Sequence, residues 1–340
     1  MENVNLKTLA MRLHLSPATV SKALRDSYEI SFETKQRVLE LAAKLNYVPN
    51  PYASSLRKRV SKTIAVVIPE VADSFFAEAI NGIEAIAQEK GYHVLIYLTH
   101  ECFEKEKAIL KDVQSGRVDG VLLSVSAETI NTTHISNLQN HRIPIVVFDR
   151  ICDEIETAKV STDDYEGGYA AARHLINNGC RKIAYLSISQ TLSISNKRMK
   201  GYKQALIDNH FLIDENYILN CTSNEHYNNT IIKDLLRSKE RPDGIIASVE
   251  RFTTNIYIAC QELQLVIPDD VAAISFSNLK TALLLNPSLS TVTQPAFDMG
   301  KAAASLLFKS LEKKNFKIDT ESISFPSVLT VRNSSSKNHL

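Results

Sequence analysis

The chain has no run of 18 apolar residues, the length that a helix needs to cross a membrane. Its N-terminus lacks a charged stretch followed by an apolar one, so we expect no signal peptide, no membrane partner and a cytoplasmic location. Its five cysteines are scattered without a C-x-x-C pair, which favours reduced thiols over a disulfide framework. Metal-ligand spacings of histidine and cysteine are also missing, so we expect no metal and no cofactor.

Apolar residues are abundant enough for more than one core. The 340 residues are 44% apolar and 23% charged, as in a globular protein of two or three domains. Charge is unevenly divided, because residues 1–60 carry ten lysines and arginines against five acids, a formal charge of +5 in a chain whose net charge is +1. A basic N-terminal segment on an acidic remainder is typical of a nucleic-acid-binding module, although a basic surface without a partner has the same composition.

The N-terminal segment has the pattern of three short helices. Residues 5–14 repeat apolar side chains at helical spacing, and Ser16-Pro17 then supplies an N-cap followed by proline at the first helical position. A third helix is expected to begin after Ser31 and to run to about Asn46. Two short helices joined by a tight turn indicate a helix-turn-helix, whose second helix enters the major groove of DNA. A generic three-helix bundle has the same pattern and stays open as the alternative.

From Lys62 onward, continuous apolar runs alternate with helical patterns. The runs occupy 64–68, 94–98, 120–124 and 145–148 in a first set, and 183–186, 244–247 and 271–275 in a second. Such alternation predicts parallel sheets with helices on both faces, and two consecutive sets predict two lobes. Because open α/β sheets bind ligands at the carboxyl ends of their strands, we expect a ligand to be clamped between the lobes.

Several motifs occur together in the order and spacing of one protein family. Residues 6–24 (L-K-T-L-A-M-R-L-H-L-S-P-A-T-V-S-K-A-L) and 38–56 (V-L-E-L-A-A-K-L-N-Y-V-P-N-P-Y-A-S-S-L) resemble the LacI/GalR family of bacterial repressors. The resemblance continues with V-V-F-D-R at 146–150, K-R-M-K-G-Y at 197–202 and S-T-V-T-Q-P at 290–295. It implies a sequence-specific DNA-binding transcriptional regulator, most often a repressor and less often an activator, and not an enzyme.

The resemblance also implies the architecture. The expected fold class is α/β, with an N-terminal all-α helix-turn-helix domain followed by a bilobal periplasmic-binding-protein-like domain of two doubly wound parallel sheets. The expected domains are a DNA-binding domain at 1–48, a hinge helix and linker at 49–61, an effector-binding and dimerisation domain at 62–332, and a disordered tail at 333–340. Lobe 1 is expected at about 62–160 and 294–320, and lobe 2 at about 161–293 and 321–332.

DNA contacts follow from the resemblance residue by residue, with double-stranded operator DNA as the partner. Contacts to bases are expected from Pro17, Ala18, Lys22, Ala53 and Leu56. Lys22 can donate to guanine in the major groove, whereas Leu56 wedges between base pairs at the operator centre and kinks the duplex. Contacts to phosphates, which set register without reading sequence, are expected from Ser16, Thr19, Ser21, Ser31, Thr34 and Asn50.

The resemblance places a small-molecule effector between the lobes. The expected effector-binding residues are Phe75, Phe76, Arg150, Arg198, Glu250 and Ser277. The two phenylalanines stack on the effector ring, and Arg198 clamps its hydroxyls or a carboxylate. The family usually has aspartates, which accept effector hydroxyls, where this chain has Glu250 and Ser277. A carbohydrate-related effector therefore stays open beside a sugar acid or other anion, and beside a cleft that binds no small ligand.

A homodimer is expected, with residues 75–88 and parts of the second lobe at the interface. The C-terminal tail has no heptad of leucines, so a tetramerising coiled coil is not expected. A periplasmic solute-binding protein shares the bilobal fold, but it predicts a signal peptide and no basic N-terminal module. An α/β enzyme is the other alternative, and the chain lacks G-x-S-x-G, G-x-x-x-x-G-K-[ST] and G-x-G-x-x-G.

Overall fold

The computed structural model describes residues 5–48, 60–313 and 320–336. The chain divides into two compact units, Met1–Ser61 and Lys62–Leu340. The predicted hinge helix, with Asn50, Ala53 and Leu56, lies outside the described residues. Within the described ranges, no helix is both long and apolar enough to cross a membrane.

Three short helices form the first unit. They are α1 (Leu6–Leu13), α2 (Pro17–Leu24) and α3 (Phe32–Lys44). The predicted N-caps are present, because Ser16 Oγ accepts from the backbone N–H of Thr19 at 3.1 Å and Ser31 Oγ accepts from that of Thr34 at 3.4 Å. All three helices supply the buried core, namely Leu9, Ala10, Val20, Ala23, Val38 and Ala42. The predicted helix-turn-helix is confirmed.

The first lobe of the second unit is built on a parallel sheet. Its strands are β1 (Thr63–Ile68), β2 (His93–Leu98), β3 (Gly120–Leu123), β4 (Ile145–Phe148), β5 (Ala158–Thr162) and β11 (Ser322–Phe325), in the order β11-β5-β4-β3-β1-β2. The register sets Val66 of β1 between Ile96 and Leu122. The helices of this lobe are α4 (Ser74–Glu89), α5 (Phe103–Asp112), α6 (Thr133–Asn140) and α11 (Ala296–Leu311), with a 3-10 turn at Val113–Ser115. The apolar strands are buried on both faces, as their continuous apolar sequence predicted.

The second lobe repeats this plan. Its strands are β6 (Ile183–Ser187), β7 (Ile218–Asn220), β8 (Gly244–Ala247), β9 (Ala272–Phe276), β10 (Ser290–Thr293) and β12 (Val328–Thr330), in the order β12-β10-β9-β8-β6-β7. Its helices are α7 (Asp164–Asn177), α8 (Ser193–Asp208), α9 (Glu225–Arg237) and α10 (Phe252–Glu262), with 3-10 turns at Glu215–Tyr217 and Lys280–Leu284. The edge strand β12 runs antiparallel to β10, and the other strands of this sheet are parallel. Two doubly wound sheets confirm the predicted fold class.

The C-terminal segment differs from two expectations. The expected second-lobe range 321–332 is wrong for β11, which pairs in parallel with β5 and places Ser322 opposite Lys159 in the first sheet. The expected disorder is wrong for residues 333–336, because Ser334 Oγ donates to the carbonyl of Ala273 at 2.6 Å and Ser334 is fully buried. The last crossing between the lobes therefore lies between β11 and β12.

Glycines allow two helices of the second lobe to cross closely. A Cβ atom on Gly168 of α7 would lie 2.1 Å from the carbonyl oxygen of Arg198, and one on Gly201 of α8 would lie 2.0 Å from that of Tyr165. No other residue fits at such a distance without separating the backbones. The crossing therefore fixes the position of the helix that carries Arg198.

Candidate functional site

The start of α2 presents its predicted base-reading residues to solvent. Pro17 and Ala18 are exposed, and they offer only apolar contact. The ammonium group of Lys22 forms an ion pair with Glu29, and both side chains are 45% exposed. Because an exposed ion pair is worth only about 0–1 kcal/mol, Lys22 can leave Glu29 for a base at little cost.

The hydroxyls predicted to hold phosphates are occupied in capping and side-chain hydrogen bonds. Ser16 Oγ lies 2.8 Å from Thr19 Oγ1, and Ser31 Oγ donates to Thr34 Oγ1 at 2.9 Å. Ser21 Oγ accepts from the Arg25 guanidinium at 3.2 Å. These side chains therefore also stabilise the starts of α2 and α3, and a phosphate contact would share their hydroxyls.

In the second unit, polar side chains collect where strands of both lobes end. In the first lobe Asp73, Glu101 and Arg150 follow β1, β2 and β4, and in the second lobe Glu250 and Ser277 follow β8 and β9. The carboxyl ends of the two parallel sheets thus face one cleft, which is where open α/β sheets bind ligands.

Glu101 is the charged centre of the first-lobe side of the cleft. Its carboxylate accepts from Arg150 at 2.6 and 3.1 Å, from Arg251 of the second lobe at 2.7 Å and from the backbone N–H of Ala127 at 2.8 Å. Glu101 and Arg150 are 3% and 2% exposed. Burial raises the pKa of Glu101, but the two arginines outweigh it and hold this pKa below its ordinary value.

The backbone is strained at Glu101 and directly before Arg150, the two charged residues that pair in the first-lobe side of the cleft. His100 and Glu101 both have positive φ, 51° and 61°, and Asp149 before Arg150 has φ 59°. Non-glycine residues are uncommon in this region and cluster at functional sites. Because Glu101 carries no sequence motif, residue patterns did not predict its role, and only the fold brings it beside Arg150.

Arg198 lies deep in the second-lobe side of the cleft. Its Nε donates to Asp164 Oδ1 at 2.8 Å and its Nη1 donates to the carbonyl of Ser248 at 2.6 Å. The guanidinium also stacks on the ring of Phe276, 4.1 Å from the centroid, and the residue is 2% exposed. The ion pair of Arg198 with Asp164 is therefore buried inside the cleft and does not lie on the surface.

The phenylalanine pair belongs to the first-lobe core and also borders the cleft. Phe75 and Phe76 are 6% and 2% exposed and meet edge to face at 5.3 Å. The guanidinium of Arg150 lies 5.7 Å from the Phe76 ring. Their faces are thus available to an effector only in part, because each ring already packs against the core.

Glu250 and Ser277, which depart from the family pattern, bond to each other. Ser277 Oγ donates to Glu250 Oε2 at 2.6 Å, and the backbone N–H of Asn278 donates to the same oxygen at 3.0 Å. The other carboxylate oxygen accepts from the backbone N–H of Ser74 in the first lobe at 3.1 Å. Glu250 therefore ties the two lobes together.

These contacts hold the lobes closed on each other. The cavity at the centre has a volume of about 30 Å³ and is lined by Asp73, Phe75, Phe76, Asp149, Arg150, Ile194, Arg198, Val249, Glu250, Phe276, Ser277, Asn278 and Gln294. It is large enough for about one water molecule. Larger cavities of about 510 Å³ lie at two mouths of the cleft, one beside Glu250 and one beside Ser193. An effector therefore requires the lobes to part.

Acidic groups outnumber basic ones at the centre of the cleft. Five carboxyl groups and three guanidinium groups line the central cavity or join the ion pairs of its lining residues, namely Asp73, Glu101, Asp149, Asp164 and Glu250 against Arg150, Arg198 and Arg251. Burial raises the pKa of Asp73, and it raises that of Asp149 to about 7 against the opposing effect of the arginines. The carboxyl groups of Asp73 and Asp149 are therefore hard to ionise in the closed cleft, and a further negative charge beside them is unfavourable, which disfavours the sugar acid or other anion left open by the sequence.

Metal binding has no support in the part of the chain that the structure describes. No group of three or more histidine, cysteine, aspartate or glutamate side chains there has the arrangement of a metal site. The cysteines of the described ranges are unpaired by disulfides, and burial raises the pKa of Cys152, Cys221 and Cys260.

Comparisons with known proteins agree with both units. Residues 5–50 match the model of the lacI family of bacterial regulatory proteins, and residues 172–335 match that of a periplasmic binding protein-like domain. A ribose operon repressor from Halalkalibacterium halodurans is 29% identical over 331 residues, 96% of either chain. Catabolite control protein A from Priestia megaterium is 27% identical over 333 residues, 98% of this chain and 99% of the relative. A LacI family regulator from Enterococcus faecium, solved with bound ribose, superposes with a TM-score of 0.70 at 26% identity, covering 81% of this chain and 98% of that one.

A lacI-type helix-turn-helix followed by a periplasmic-binding-protein-like domain defines a class of DNA-binding transcriptional regulators. Residues 5–50 form a DNA-binding domain of the lacI family of bacterial regulatory proteins, and the relatives that match over nearly the full length are named as regulators of transcription.

Proposed function

We propose that this regulator is a homodimeric repressor of a two-fold operator, and that a small carbohydrate-type effector bound between its lobes changes its affinity for DNA. The observation that carries the proposal is the cleft, where buried polar groups from the ends of both parallel sheets meet across the lobes. The ribose operon repressor among its relatives and the ribose-bound structural neighbour support a carbohydrate effector.

Closure of the cleft is the element that an effector can bias. Glu101–Arg251 and Glu250–Ser74 join the lobes in the closed form at 2.7 and 3.1 Å, and an effector must displace or rebuild these contacts. A ligand that binds one arrangement of the lobes better than the other shifts the population toward it. Coupling to DNA of about 1–3 kcal/mol is the expected size for such a switch.

We propose that Lys22 makes the main base-specific contact of α2 in the major groove. Lys22→Ala should relax specificity at one base position and weaken operator binding by about 1–3 kcal/mol, because α2 offers otherwise apolar contacts at its start. Electrophoretic mobility shifts with the DNA upstream of the protein's own gene, and with single-base variants of that DNA, measure the affinity and the base preference. Lys44→Ala, an exposed change on α3, is the matched control and should leave base preference unaltered. Unchanged base preference in the Lys22 variant would refute the assignment.

A homodimer is proposed to form through an apolar face on the second lobe. Leu283 and Leu284 are 60% and 73% exposed in the 3-10 turn, and Ile258 on α10 is 37% exposed. Large exposed apolar groups of this kind mark protein interfaces, and a two-fold operator needs a two-fold protein.

Leu284→Glu should raise the dissociation constant of the dimer about 100-fold or more, because it buries a charge against the partner's apolar face. Sedimentation at micromolar concentration measures the change. Leu212→Glu is the matched control, since Leu212 is 94% exposed in a second-lobe loop outside this face. A Leu284 variant that sediments as the wild type does would place the interface elsewhere.

A further inference from the structure

Two arginine donors at the centre of the cleft lack hydrogen-bond partners. Among the described residues, Arg150 Nε and Arg198 Nη2 are buried without an acceptor, and both arginines line the central cavity. Asp149 Oδ2 lies 3.9 Å from Arg150 Nε, which is beyond hydrogen-bond range. Buried donors without a partner are costly and require an explanation. They indicate that a ligand with acceptor oxygens completes this site.

The negative charge of the cleft is not matched by the arginines. Arg150 and Arg251 both hydrogen-bond to Glu101, and the Nε of Arg198 hydrogen-bonds to Asp164. The carboxylates of Asp73 and Asp149, which also line the cavity, are left without a hydrogen-bonded guanidinium within the described ranges. A buried carboxylate is stable in its charged form only when a cation or several donors compensate it.

We propose that the effector is a compact amino sugar or amino polyol, a cation whose ammonium group lies between Asp73 and Asp149 and whose hydroxyl oxygens accept from the two arginines. The inference rests on the proposed function, because it names the chemistry of the effector in the same cleft. An ammonium group has three protons and can donate to two carboxylates at once. The hydroxyl oxygens of the ligand can accept from the N–H groups of Arg150 and Arg198 that have no partner among the described residues.

Other ligand classes fit these groups less well. An anion would place a further negative charge beside carboxyl groups that are already hard to ionise, and the arginines that would receive it already hold Glu101 and Asp164. A neutral sugar satisfies the donors of the arginines but leaves the buried carboxyl group of Asp149 and the half-buried one of Asp73 without a hydrogen-bonded cation. In the part of the chain that the structure describes, Asp73 accepts only from the backbone N–H of Phe75, at 3.0 Å. Phe76 and Phe276 border the cavity, and the parts of their rings that the arginines leave free can pack on the apolar face of a sugar ring.

One of the two mouths of the cleft has the same sign of charge, whereas the other, beside Ser193, is lined by two acids and two lysines. The mouth of about 510 Å³ beside α10 is lined by the acids Glu70, Asp73 and Glu250 and by a single arginine, Arg251, which is engaged with Glu101. A cleft lined by one sign of charge focuses its field and raises the local concentration of the opposite ion. The route to Asp73 therefore favours a cation over a neutral or anionic sugar.

Matched triplets of ligands test the proposal on the full-length protein. Glucosamine, glucose and glucuronate form one triplet, and galactosamine, galactose and galacturonate another, with thermal shift as a screen and calorimetry for dissociation constants. In at least one triplet the amine should bind 10-fold or more tightly than the neutral sugar, and the acid should not bind. If the neutral sugar or the acid binds more tightly than the amine in every triplet, the proposal of an amino sugar is wrong. The proposal of a carbohydrate-type effector is retained in that case. No shift with either amine also overturns it, and operator binding, measured separately, is unaffected by that outcome.

A variant makes the test specific to the carboxylate. Asp149→Asn keeps the size of the side chain and removes its charge, so the preference for the amine over its neutral parent should fall 10-fold or more. Affinity for the neutral sugar should stay within about 3-fold, which a merely structural role of Asp149 does not predict. Asp269→Asn, at an exposed position, is the matched control and should leave the preference intact. A preference for the amine that survives Asp149→Asn contradicts the assignment.

Discussion

Glu101→Gln is expected to lower the free energy of unfolding of the bilobal unit by about 3–5 kcal/mol. The change leaves Arg150 charged, buried and without a carboxylate, and it places amide hydrogens against a guanidinium that has only donors. Removal of one partner from a buried pair costs far more than the pair itself contributes, because the remaining charge stays out of water.

Chemical denaturation of the wild type and the variant, fitted for the transition of the bilobal unit, measures this loss. Glu104→Gln is the matched control, since Glu104 is 74% exposed and pairs with Lys107 on the same helix. That pair is screened by solvent and should contribute less than about 1 kcal/mol. A Glu101 variant whose loss matches that of the control would mean that Arg150 finds another partner or water.

Much of the fold follows from local signals in the sequence. Ser16 and Ser31 are placed where an N-cap is needed, and the helices begin one residue after each of them. The apolar run at 64–68 predicted β1, which the structure extends by one residue to Thr63. Patterns of period and capping act within a few residues, so one sequence carries enough information for them.

The cleft was predictable only in part. Arg198, Arg150 and Glu250 were expected there from the family resemblance, and they line the central cavity. Glu101 and Asp164, which hold the arginines, were missed because each lies 34 or more positions from its partner and no short motif joins the two. Pairing between distant residues depends on the tertiary fold and leaves no periodic trace in a single chain.

The departures from the family pattern illustrate the same limit. Taken one at a time, Ser277 loses a charge and Glu250 gains reach, and the sequence left their effect open. In the fold the carboxylate of Glu250 accepts a hydrogen bond from the hydroxyl of Ser277 at 2.6 Å. The longer side chain at one position therefore compensates for the shorter one at the other. The tail is a further case, because its serines looked solvent-exposed by composition but Ser334 bonds within the second lobe.

Asp149 is expected to make the bilobal unit less stable as pH rises from about 4 to about 7. Burial raises the pKa of Asp149 from 3.8 to about 7, with Arg150 and Arg198 opposing the shift and Asp164 and Asp73 adding to it. Between these values the unfolded chain has lost the proton while the folded chain keeps it, so the folded form binds more protons and stability falls with pH. Above pH 7 the full penalty is present, and the shift corresponds to about 4 kcal/mol.

Asp149→Asn should therefore raise the unfolding free energy by several kcal/mol at pH 8 and change it little at pH 4, because asparagine has no proton to lose. Asparagine also tolerates the positive φ of 59° at this position. Denaturation of both proteins between pH 4 and pH 8 measures the difference, and Asp269→Asn, which is exposed, should show no such trend. A stability difference between wild type and Asp149→Asn that stays constant across this range would show that Asp149 ionises freely in the closed cleft. It would also mean that its charge is compensated there without a ligand.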